Sequence, residues 1–128
     1  MSRVRAFLVV ASLCVGALGA SAQTAPDAVI VDPEAHQVVL DNEHVRVLQA
    51  MASTGAKSPM HSHPPLLLVS LDTARIRLTL PDGAKRILDL RPGAVIWVDA
   101  TEHSWELLSG DINVVAVEVK AAKAAKAR

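Results

Sequence analysis

The chain has 128 residues, of which 51% are apolar, and its 13 Lys and Arg are balanced by 13 Asp and Glu. That length allows one domain at most. Between Gln23 and Val119 there are thirteen acids against seven Lys and Arg, a net of −6, which argues against a polyanion-binding surface and leaves no nucleic acid among the expected partners.

Arg3 and Arg5 precede an uncharged run from Ala6 to Pro26, strongly apolar from Ala6 to Leu18 and carrying Ala20-Ser21-Ala22. Basic, then apolar, then small is the order of a secretory signal peptide, here residues 1–22, with cleavage after Ala22 and a periplasmic or secreted product. The apolar core is short of the roughly 20 residues that span a bilayer, and Gly16, Gly19 and Ser21 interrupt it, so no stable membrane anchor is expected after cleavage. Cys14 is the only cysteine and lies inside this run, preceded by Leu13 rather than by the small residue a lipidated cysteine needs. The mature chain can form no disulfide, and its stability must come from its core.

Residues 23–35 are polar, small and Pro-bearing, and read as an N-terminal tether. From 36 to 119 the pattern is all-β: short segments rich in Val, Ile and Leu, separated by turn residues, with no helical period. The expected strands are Gln37–Leu40, Val45–Met51, Leu66–Leu71, Arg75–Leu80, Arg86–Leu90, Val95–Val98, His103–Leu108 and Ile112–Val119. Pro81-Asp82-Gly83 sits between two alternating segments and predicts a hairpin turn, and Arg91-Pro92-Gly93 and Ser109-Gly110-Asp111 are expected to close strands likewise. Eight short, mostly antiparallel strands predict a sandwich or barrel. The tail 120–128 repeats Lys and Ala over too few residues to hold a helix alone, and is expected to be disordered.

The chemistry-bearing stretch is Met60-His61-Ser62-His63-Pro64. Side chains at i and i+2 of an extended chain point the same way, so His61 and His63 form half of a metal site. His103, at the start of a strand forty residues on, is the candidate third ligand, because a rolled antiparallel barrel can bring distant strands side by side. Trp105 and Leu107 share the parity of His103, and with Met60 and Leu67 they are candidate pocket-lining residues for a small organic ligand. His36 and His44 read as exposed strand histidines, and Glu102 and Glu106, of opposite parity to His103, as solvent-facing.

Gly55, five residues, then His61-x-His63 resembles the first motif of the cupin family (the RmlC-like cupin superfamily), and Gly93 with His103 ten positions on resembles the second. The resemblance runs from about Asp41 to Lys120. It implies a cupin-type double-stranded β-helix, a jelly-roll barrel whose histidines point into the mouth and commonly hold iron, manganese, nickel, zinc or copper. The departures are specific. Leu67 and Leu68 stand where the first motif carries its glutamate, and Ala74 or Arg75 stands for its later glycine. Asp99 replaces a proline, Thr101 a glycine and Leu107 an asparagine, and His103 comes one position early.

The resemblance therefore implies an exported cupin with a mononuclear site of His61, His63 and His103, short of the usual carboxylate and holding one divalent ion (Fe, Zn, Mn, Ni or Cu). Three histidines with open positions resemble the site of the cupin-type thiol dioxygenases, which implies dioxygenase-like chemistry on a small organic substrate if the protein is an enzyme. The alternative is a non-catalytic, small-ligand-binding or structural cupin with a vestigial metal site. A homodimer is a further expectation, as is common among small cupins. The absence of tyrosine excludes the sugar-nucleotide epimerase branch, which uses a tyrosine acid.

Overall fold

The computed structural model describes residues 23–121; the expected signal peptide and nearly all of the Lys/Ala tail lie outside the described residues. A single helical turn, α1 (Ala28–Val31), is followed by eight strands: β1 (His36–Asp41), β2 (Val45–Ser53), β3 (Lys57–His63), β4 (Leu66–Ser70), β5 (Ala74–Thr79), β6 (Lys85–Leu90), β7 (Val95–Val98) and β8 (Thr101–Val119). They form two sheets that share β8. One runs β1-β2-β8-β4-β7, and in the other β3 and β5 flank β8 while β6 pairs with β5. All of these strand pairings are antiparallel.

The expected turn at Ser109-Gly110-Asp111 is not a turn. His103–Leu108 and Ile112–Val119 are the two halves of one strand of 19 residues, which pairs with β3 and β5 in one sheet and then with β2 and β4 in the other. Gly110 makes the passage possible. Its φ is +75°, and a Cβ there would lie 2.1 Å from the carbonyl oxygen of Thr73, so only glycine fits where the chain bends between sheets. The Pro81-Asp82-Gly83 hairpin forms as the sequence predicts: the Leu80 amide donates to the Ala84 carbonyl at 2.8 Å, and Gly83 takes φ +84°. β3 is the strand that the apolar pattern missed, because its buried positions, Ser58, His61 and His63, are polar.

The lead-in is anchored rather than loose. The Ser62 amide donates to the Pro26 carbonyl at 2.8 Å, Glu102 accepts from the backbone amides of Thr24 and Ala25, and Asp27 caps α1 through the Val29 amide. Glu102 thus faces this segment rather than open solvent, while Glu106 does point outward, to Arg77 and Lys57.

Alternation along the strands separates the faces. Inward residues form two core clusters. One is centred on Ile76, Leu90, Trp105, Leu107, Ile112 and Val114, and the other on Leu48, Leu66 and Ala116. Burying each large aliphatic side chain contributes about 1.5–3 kcal/mol, which suits a fold with no cross-link. The outer faces differ in kind. Beyond β5 and β6 the surface is charged, with Arg75–Asp89 and Arg77–Glu106 pairs. The other sheet turns outward a cross-strand row of Leu40, Val47, Val117, Leu67 and Trp97.

Candidate metal centre

Four histidines meet inside one end of the barrel. β3 carries His61 and His63 two residues apart on its inner face, and the register sets His61 directly opposite His103 on β8. The ring centroids of His61 lie 4.9 Å from those of both His63 and His103, and His63 and His103 are 5.4 Å apart. The fourth member is His36. It opposes Ala50 across β1 and β2, and its ring sits 4.9 Å from His61 and 5.7 Å from His63. Its reading as an exposed strand histidine is corrected: it is 4% exposed, because β1 starts one residue earlier than its apolar pattern and turns this position inward. His44 is exposed, as expected.

The donor atoms that converge most closely belong to His36, His61 and His63, all within 4.8 Å of one another. His103 stands beside this group, its ring edge-on to His61.

The hydrogen bonds fix which nitrogen each ring presents. His61 Nδ1 lies 2.7 Å from the Pro59 carbonyl, and His36 Nδ1 lies 3.1 Å from the Asp32 carbonyl. A carbonyl oxygen can only accept, so both Nδ1 atoms carry the proton and both Nε2 atoms keep a lone pair. His63 Nδ1 faces the Glu118 carboxylate at 3.0 Å, which orients that ring in the same sense. His61 Nε2 is fully buried without a hydrogen bond, the only such side-chain atom among the described residues. A buried lone pair without a donor is costly, and a metal ion is the partner that three such imidazoles fit. The donor set is all nitrogen, which suits zinc, copper, nickel or iron better than a hard, oxygen-seeking ion.

Glu118 is the residue that sequence reasoning missed. It is 1% exposed, on the inner face of β8, and holds His63 with one oxygen and Arg46 Nε with the other at 2.6 Å. Arg46 in turn reaches Asp27 at 2.7 Å, so a chain of charges runs from the histidines to the cap of α1. Burial pushes the Glu118 carboxyl up, but the His63 hydrogen bond and the Arg46 guanidinium outweigh it and hold the group below its ordinary range. The carboxylate thus comes from the far end of β8 and orients a histidine, instead of following the His-x-His stretch. An apolar strand, Ile112–Val119, interrupted inward by one acid, was the available signal.

Burial pushes the His61 imidazole down to about 4 and that of His103 to about 3, and lowers His36 as well, with the neighbouring rings adding to the effect. These groups bind more protons unfolded than folded below their ordinary value of 6.5. Their contribution to metal-free stability is complete above that value and is lost as pH falls from 6.5 toward 4. Urea midpoints of chelator-treated protein should therefore be level above neutrality and drop through that window, before Asp27 and Glu118 titrate below their ordinary values.

Of the expected pocket residues, Trp105 lines the cavity beside the histidines, with its ring 6.4 Å from His36. Leu107 faces inward but is sealed in the core at 1% exposure. Leu67 is corrected: it pairs with Trp97 and Val117 on the outer face, while Leu66 and Leu68, of opposite parity, line the cavity. Met60 is likewise not part of the lining, since it alternates with His61.

A double-stranded β-helix with histidines gathered at one end is a cupin-fold domain. A cupin domain from Bordetella pertussis superposes with a TM-score of 0.60 at 23% identity, covering 78% of this chain and all of that one. An RmlC-like cupin family protein with a double-stranded β-helix fold from Methanocaldococcus jannaschii matches at a TM-score of 0.54 and 16% identity, over 66% of this chain and 77% of that one. A cupin superfamily protein from Desulfitobacterium hafniense gives 0.51 and 14%, over 67% and 76%. No family model matches the sequence, and neither does any curated protein.

Proposed function

We propose that this protein is an exported cupin that holds one divalent metal ion on His36, His61 and His63, with His103 beside them, and carries out oxygenase-like chemistry on a small organic substrate. The buried, unpartnered Nε2 of His61 is the observation that supports the metal most strongly. When bound, iron or copper there supplies redox chemistry, and zinc supplies Lewis acidity. The chain's own part is to fix the imidazole tautomers through Pro59, Asp32 and Glu118, to keep His36, His61 and His103 neutral by burial, and to enclose a substrate in an apolar cavity. Oxygen uptake dependent on added iron or copper, and lost in His61→Ala, tests the chemistry. Turnover of nothing in a broad screen, with a cavity ligand that stabilises wild type and His61→Ala equally, would favour the non-catalytic binding module instead.

Export is supported by Arg3, Arg5, the apolar run and Ala20-Ser21-Ala22. Protein recovered from its host should begin at Gln23; an N-terminus at Met1 would contradict export by this route. A homodimer is supported by the apolar outer face that the cross-strand row and Val95 form, with Trp97 55% exposed and Val95 61%, against the charged outer face of the other sheet. Light scattering should give twice the chain mass for wild type and the chain mass for Val117→Lys; a monomeric wild type would contradict it.

A further inference from the structure

The cavity beside the histidines has a second pole. Its volume is about 560 Å³, within the range of small-molecule sites, and its walls are mostly aliphatic, with Leu66 and Leu68 on one side and Leu78 and Leu88 on the other. Besides histidines, two ionisable side chains line it, Arg86 and Asp99. Asp99 is engaged outward, accepting the Trp97 indole N–H at 3.0 Å. Arg86 makes no ion pair or side-chain hydrogen bond among the described residues.

The position of Arg86 is unusual for a solvated cation. It shares the face of Leu88 and Leu90, which line the cavity, and alternates with Ile87 and Asp89, which face out. The register places it in one cross-strand row with Leu78 on β5 and Trp105 on β8. Its side chain is exposed, so the charge sits at the rim and keeps water while its stem joins the apolar wall. An unpaired guanidinium at the rim of an apolar cavity recognises a carboxylate through two parallel hydrogen bonds. Two inter-strand spacings, about 10 Å, separate its strand from that of His103.

We infer that the cavity takes an amphipathic monocarboxylate, with its carboxylate on Arg86 and its apolar body along Leu78 and Leu88, so that its far end lies toward the histidines. The inference rests on the reading of this cavity as the ligand site, and it does not require the metal.

Octanoate, octanol and octylamine serve as probes in calorimetric titrations of the mature protein, metal-free and zinc-loaded. Octanoate is expected to bind about tenfold more tightly than octanol, the size of one charge-assisted hydrogen bond at a half-wet rim, and octylamine more weakly than either. Arg86→Gln should erase the difference between octanoate and octanol while leaving octanol binding as it was, and Asp99→Asn should leave the preference standing. Equal binding of octanoate and octanol, a preference for octylamine, a preference that survives Arg86→Gln, or no binding of any probe would overturn the inference. Preference in a protein that holds no metal leaves it intact and sinks the metal reading; metal retention without preference does the reverse.

Discussion

Replacing His61 with alanine is expected to abolish tight metal retention while costing the metal-free fold little. The wild-type ring keeps a buried lone pair out of water with no hydrogen bond, a burden of about 1–3 kcal/mol in the absence of metal. The variant removes that burden along with the Pro59 contact and leaves room where the ring stood, so its losses and gains nearly offset. With zinc at a hundred times its dissociation constant, wild type should gain about 2.7 kcal/mol from binding, which is roughly 11–22 °C in Tm for a domain of this size. His61→Ala should gain none of it. Thermal scans of both proteins with chelator and with zinc make the comparison, and an equal zinc-induced rise in both would show that the ion binds elsewhere.

Glu118→Gln is expected to weaken both stability and metal affinity. The glutamine keeps the shape but removes the buried one of the two carboxylates that pair with Arg46, leaving the guanidinium with the half-buried Asp27, at a cost of about 1–3 kcal/mol. It also removes the anionic acceptor of His63 Nδ1–H, and loss of such an orienting partner lowers metal affinity by about 10–100-fold. Arg46→Met separates the two roles. It should cost stability on a similar scale, yet leave zinc affinity closer to wild type because Glu118 still holds His63. Urea denaturation and a competitive zinc titration measure the two quantities. Affinities of Glu118→Gln and Arg46→Met that fall together would mean that Glu118 acts only through the fold.

The fold was legible because its main signals are local. Alternation in Arg75–Leu80 and Lys85–Leu90 around Pro81-Asp82-Gly83 specifies a hairpin, and the His-x-His spacing puts two imidazoles on one face. What stayed hidden depends on contacts between residues far apart in sequence. Gly110 reads as a turn residue in the sequence, but in the fold it is the one residue that can pass the Thr73 carbonyl while the strand continues. His36 sits in a polar lead-in, and only its pairing with Ala50 reveals that it faces inward. Glu118 takes its role only when Arg46 and His63 are brought to it from 72 and 55 residues away. The sequence likewise locates a missing carboxylate at Leu67 and Leu68, but not that β4 turns Leu67 outward and so takes it away from the site altogether.

The central claim is that the inward histidines hold one ion. Elemental analysis of the tag-free protein from Gln23 onward, after exposure to iron, zinc, manganese, nickel and copper and removal of the excess, tests it most directly. One equivalent of a nitrogen-preferring metal in wild type, falling to background in His61→Ala and markedly reduced in His36→Ala, is the predicted result. Wild type without stoichiometric metal, or with metal that His61→Ala retains in full, would contradict it.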